Sequence, residues 1–103
     1  MTQFIKVARV EEIPPGTKKT VEVEGVEVVI ANVDGEFYAV EDVCTHDGGP
    51  LGDGELEGCQ LICPRHGARF DVRTGKALTL PAFEPVASYA VKVQDGDILI
   101  EGF

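Results

Sequence analysis

The sequence predicts an all-β fold, and three observations carry the prediction. Short runs rich in valine, isoleucine and aromatic residues recur along the 103 residues, helix-period patterns are almost absent, and glycine turns punctuate the runs. A chain of this length reads as a single domain, 1–103, able to bury roughly two-thirds of its unfolded surface without disulfide staples.

Residues 4–7 read as a first strand, and residues 10–13 as an irregular turn that Pro14-Pro15-Gly16 breaks. Residues 20–23 and 26–33 flank Glu24-Gly25 as a hairpin. Residue 33 and residues 37–40 flank Asp34-Gly35, a strong hairpin dipeptide because both residues tolerate positive φ. From 44 to 58 the composition shifts to glycine and acidic residues, with Leu51 and Leu56 as the apolar interruptions, so this stretch is expected to be a loop built around something. Residues 59–62 and 68–72 read as a further hairpin turning through 64–67. Residues 80–85 are a proline-stiffened extended segment, and 87–93 pairs with 97–100 across Gln94-Asp95-Gly96. The expected architecture is an antiparallel β-sandwich or barrel base, from residues 1–43 and 82–103, with a subdomain of about 43–81 inserted in it.

Composition excludes several classes of function. Nine basic residues against eighteen acidic ones give a formal charge of −9, which repels nucleic acid phosphates and anionic lipid. Neither nucleic acid nor membrane is an expected partner. No apolar run approaches the roughly 20 residues that span a bilayer, and the N-terminus lacks a basic start followed by an apolar core, so a cytoplasmic location is expected. An acidic surface also fits docking onto a basic patch of another protein, although it equally serves solubility.

The chemistry is concentrated in two clusters, Cys44-Thr45-His46 and Cys63-Pro64-Arg65-His66, separated by the sixteen residues 47–62. Each offers one thiolate and one imidazole, so Cys44, His46, Cys63 and His66 divide into a sulfur pair and a nitrogen pair. A [2Fe–2S] centre with two cysteines on one iron and two histidines on the other makes this demand. Tetrahedral zinc also accepts two cysteines and two histidines, but zinc modules usually pair like with like, whereas each cluster here mixes them. Iron and sulfide content distinguishes the two. Cys59, the third cysteine, reads as a small buried hydrophobe.

These residues and their surroundings resemble the Rieske iron–sulfur proteins, and in particular the soluble bacterial Rieske ferredoxins. The likeness extends through residues 40–43 before the first cluster, Gly48-Gly49-Pro50-Leu51 after it, and Ala68-Arg69-Phe70-Asp71 with Thr74-Gly75 after the second. It implies a Rieske fold of three antiparallel sheets, with both ligand loops at one tip, and one [2Fe–2S] cluster per chain. It also implies a one-electron carrier, between a flavin-dependent NAD(P)H reductase and a terminal oxygenase. The small subunit of an assimilatory nitrite reductase is the alternative role.

Replacing two thiolates by neutral imidazoles makes the reduced centre less negative and raises its potential, into a window of roughly −150 to +300 mV. Rieske proteins of respiratory complexes carry a serine and a tyrosine where this chain has Ala68 and Phe70, and bridge their loops by a disulfide at the positions of Gly49 and Arg65. With those donors missing, the expected potential is near the low end, about −150 mV. Glu41, Asp42, Asp47 and Asp53 would lower it further, while Arg65, Arg69 and Arg73 oppose them, either as internal partners of these acids or as a docking rim. Without the disulfide, the loops are expected to be held by backbone hydrogen bonds, the turn at 48–50 and packing of Pro81. An enzyme with its own active site is not expected. Both histidines are committed to the cluster, leaving none for a mononuclear iron, and no dinucleotide-binding fingerprint follows a strand.

Overall fold

A computed structural model describes residues 3–45, 48–65, 67–80, 82 and 84–101. Ten strands form three antiparallel sheets, and no α-helix occurs among the described residues. The strands are β1 (Phe4–Arg9), β2 (Lys18–Val23), β3 (Val26–Val33), β4 (Glu36–Glu41), β5 (Glu55–Glu57), β6 (Gln60–Ile62), β7 (Arg69–Asp71), β8 (Ser88–Tyr89), β9 (Val91–Gln94) and β10 (Asp97–Glu101). The first sheet runs β1-β10-β9, the second β2-β3-β4-β8 and the third β5-β6-β7.

Three hairpins rest on turns in which both central residues have positive φ. These are Glu24-Gly25, Asp34-Gly35 and Asp95-Gly96, the backbone that matches the twist of the flanking strands. In β1 the register with β10 shifts between Lys6 and Ala8, so Val7 is an extra residue and the strand bends there.

The second sheet is the middle layer, because β3 is buried on both faces. Val28 and Ile30 pack with Ile13, Ala39, Ile98 and Ile100 on one side. Alternate residues Val29 and Ala31 point the other way, joining Val40, Leu51, Leu61, Phe70 and Val72. Leu51, Leu61 and Phe70 are fully buried, each stabilising the fold by about 1.5–3 kcal/mol. The third sheet therefore shares its core with the second. Asn32, buried in the middle layer, is satisfied at both ends of its amide: Nδ2 donates to the Ile13 carbonyl at 2.8 Å, and Oδ1 accepts from the Gly35 N–H at 2.7 Å.

Two local expectations are corrected. The stretch 44–58 contains a 3₁₀ turn (Leu51–Asp53) and strand β5 as well as loop; its glycines and acids mask the short alternation of Glu55–Glu57, which pairs with Gln60–Ile62. The expected strand 87–93 is two strands. Ser88 and Tyr89 pair with β4, whereas 91–94 pair with β10, and the chain changes sheet at Ala90, whose carbonyl accepts from the Glu101 N–H at 3.0 Å.

Candidate metal centre

Cys44 follows β4 and Cys63 follows β6, and the two begin loops of one design. In the first, the Gly48 N–H donates to the Cys44 carbonyl and the Cys44 N–H donates to the Gly49 carbonyl, both at 2.7 Å. In the second, the Gly67 N–H donates to the Cys63 carbonyl at 3.0 Å and the Cys63 N–H donates to the Ala68 carbonyl at 2.7 Å. Each cysteine is thus closed by the residues four and five positions on. Gly48 and Gly67 have φ of 76° and 74°, a conformation that costs an L-residue roughly 1–2 kcal/mol. The repeated relation is the glycine four residues after cysteine, a regularity that the unequal cysteine–histidine spacings hide.

Both thiols are buried, with 0% exposure at Cys44 and 1% at Cys63. They share one apolar cluster with Leu51, Leu61, Ala68, Phe70, Ala82 and Val86. Cysteine binds a metal as its thiolate. Two buried cysteines on matched loops, in an apolar cluster where a centre balanced by two thiolates would be neutral when oxidised, fit a [2Fe–2S] group. His46 and His66, the expected nitrogen pair, lie outside the described residues, as do Asp47 and Pro81. Ala68 and Phe70 are fully buried and bring no hydroxyl toward the sulfur pair.

Of the two roles open to the arginines, partnership with the acids around the first loop or a docking rim, Arg69 and Arg73 do not show the first among the described residues. Arg69 donates to Glu57 at 3.2 Å and Gln60 at 3.0 Å, and Arg73 donates to both carboxylate oxygens of Asp71 at 3.1 and 3.0 Å. Their partners come from the third sheet itself, whose strands place those side chains nearer than Glu41, Asp42 or Asp53. The Arg73 guanidinium holds the Asp71 carboxyl below its ordinary range, against the opposing effect of burial. Cys59 is half-buried rather than buried. It lies in the turn between β5 and β6 and lines a cleft of about 480 Å³ with Tyr38 and Arg73.

Three ties around the loops were not visible as sequence patterns. The Thr45 hydroxyl donates to the Glu84 carbonyl at 2.7 Å. The Val86 N–H donates to the Gly75 carbonyl at 2.8 Å, where a side chain at 75 would overlap the Val86 carbonyl. Gly52 is held from both sides by Asp42 and Lys18.

Two buried thiols on matched loops, in one apolar cluster of a three-sheet β-fold, fit the class of iron–sulfur proteins. The model described as the Rieske [2Fe-2S] domain matches residues 3–90, and the chain belongs to that family. The ferredoxin component of the naphthalene 1,2-dioxygenase/salicylate 5-hydroxylase systems of a Ralstonia species is 40% identical over 102 residues, 98% of each chain. The ferredoxin of carbazole 1,9a-dioxygenase from Nocardioides aromaticivorans IC177 superposes with a TM-score of 0.94 at 32% identity, over 98% of this chain and 99% of that one. A chain from the complex of reduced oxygenase and oxidized ferredoxin in carbazole 1,9a-dioxygenase gives 0.91 at 34% identity, over 96% and 93%. The fold is accordingly the all-β Rieske fold, and its cofactor is a [2Fe–2S] cluster.

Proposed function

We propose that this protein is the one-electron carrier of an aromatic-ring dioxygenase system, accepting electrons from an NAD(P)H-dependent flavin reductase and delivering them to a terminal oxygenase. The observation that carries the reading is the pair of matched loops with buried Cys44 and Cys63, in a chain that aligns end to end with ferredoxin components of such systems. When bound, the cluster stores and releases one electron without a group transfer. Cys44 and Cys63 would hold one iron, and His46 and His66 the other. The apolar shell of Leu51, Leu61, Phe70 and Val86 excludes water from the sulfur side. The part played by the protein is to hold, insulate and present the centre, which makes it an electron-transfer component rather than an enzyme.

Residues 43–81 are read as the cluster-binding insert of a single Rieske domain, supported by strands β5–β7 falling between β4 and β8 in sequence. The nitrite reductase role is not favoured, since the relatives are dioxygenase ferredoxins. No helix of the described residues is long and apolar enough to cross a membrane, and we place the carrier in the cytoplasm with its reductase. The test is direct: the purified protein should be brown with equal iron and sulfide, be reduced by NAD(P)H through a candidate reductase, and be reoxidised by a candidate oxygenase. A colourless zinc protein, or one inert to every such pair, would contradict the reading.

A further inference from the structure

The second ligand loop joins two paired strands, β6 and β7, whose register closes at Ile62 and Arg69 directly around it. The first has no such frame. It leaves β4 at Glu41 and runs through Cys44 and Gly49 into the 3₁₀ turn Leu51–Asp53, so its far end must be fixed by other groups. Two side chains do this at one residue. The Gly52 N–H donates to Asp42 Oδ1 at 2.6 Å, and Lys18 Nζ, reaching from β2, donates to the Gly52 carbonyl at 2.6 Å. The first bond ties the residue two before Cys44 to the turn that ends the loop; the second fastens that turn to the middle sheet. Space at Gly52 is fully used, because a Cβ there would overlap Thr20 Oγ1 and press on Asp42 Oδ1 and Val29. The neighbouring Leu51 side chain is fully buried in the apolar cluster that contains Cys44 and Cys63.

We infer that Lys18 and Asp42 form a charge-balanced clamp on Gly52, which positions the first ligand loop and sets the electrostatic environment of the cluster. The inference rests on the reading of Cys44 and Cys63 as cluster ligands. Its physical content is twofold. The clamp fixes geometry through two hydrogen bonds to ionised groups, which are stronger than neutral ones. It also sets a positive charge against the Asp42 carboxylate across a single residue, so Asp42 alone does not depress the potential as its place in the sequence suggests. Both residues are positioning residues, acting through Gly52 and through the field.

The test compares Lys18→Met, Asp42→Asn and the double variant as holoproteins. Midpoint potentials are measured by redox titration, and cluster retention by the decay of visible absorbance in the presence of a chelator. Lys18→Met removes a positive charge and should lower the midpoint; Asp42→Asn, which keeps an acceptor for the Gly52 N–H, should raise it; the double variant should lie closer to wild type than either. Cluster loss should be roughly tenfold faster in Lys18→Met and return to the wild-type rate in Lys18→Arg. Shifts of the same sign, or unchanged midpoints with only a lower melting temperature, would show a purely structural tie and overturn the inference. Should Lys18→Met fail to assemble, Asp42→Asn decides alone, an unchanged or lowered midpoint being the contrary result. Wild-type protein without stoichiometric iron and sulfide would instead refute the ligand reading itself, before any variant is made.

Discussion

The two ligand loops share a hydrogen-bond scheme and differ in what surrounds it. The loop at Cys63 is the turn of a hairpin, so its ends are held by strand pairing at Ile62 and Arg69 and its outer strand also by Arg69 reaching Glu57 and Gln60. The loop at Cys44 passes from a strand into a 3₁₀ turn, and its ends are held by side-chain bonds: Asp42 at its start and Lys18 from β2 on Gly52, and Thr45 on the distant Glu84 carbonyl. Local structure builds one site half, and tertiary contacts build the other. A carrier without a disulfide between its loops can thus keep both in register, but the two halves should fail differently when perturbed.

The largest expected effect treats the halves alike. Cys44→Ala and Cys63→Ala should each abolish the visible spectrum and bring iron and sulfide to background, and a variant that keeps either would remove that cysteine from the ligand set. Gly54→Ala comes next. Its Cβ would overlap the Ile62 carbonyl, the residue just before Cys63, and relieving the overlap should cost about 3 kcal/mol in a denaturant titration. Gly48→Ala and Gly67→Ala sharpen the comparison, since both meet open space and differ only in setting. Each pays about 1–2 kcal/mol for positive φ. The Gly67 variant should show this as lower stability with its cluster retained, whereas the Gly48 variant, lacking a strand frame, should also lose cluster faster in chelator.

Smaller effects probe the environment of the second loop. Ala68→Ser adds a hydroxyl at the position matching Gly49 of the first loop; a new hydrogen bond favouring the reduced state by about 1 kcal/mol would raise the midpoint by roughly 40 mV. An unchanged midpoint would indicate that the hydroxyl points away from the sulfur pair. The smallest effect is on acid stability. Because Arg73 lowers the Asp71 pKa, the pair's contribution is present above the ordinary value of 3.8 and is lost as the pH falls below it. Asp71→Asn should therefore melt lower than wild type at neutral pH, with the difference shrinking toward pH 3; a pH-independent difference would assign the role of Asp71 to its neutral hydrogen bonds.

Much of the fold was legible because its signals are local. Glu24-Gly25, Asp34-Gly35 and Asp95-Gly96 identify their hairpins through the positive φ that two-residue turns require. Strand β5 and the break at Ala90 were not, for a physical reason. Amid glycines and acids β5 offers Leu56 as its one apolar residue, too little to display alternation, and a strand that changes sheet keeps its extended pattern while its hydrogen-bond partners switch. The half-buried state of Cys59 likewise depends on where a turn lands, beside Tyr38 and Arg73, and not on residue type.

By itself the sequence determined the candidate ligand types, two cysteines and two histidines, and their spacing, because a donor set depends only on which side chains are present. It determined also that Ala68 and Phe70 bring no hydroxyl. Only the tertiary structure decided which charges matter near the centre. Arg69 and Arg73 turn to Glu57, Gln60 and Asp71 within the third sheet, while Lys18, 26 positions before Cys44 in the chain, reaches Gly52. Electrostatic influence falls with distance through space, and in a fold built from non-local strand pairs that distance cannot be read along the chain.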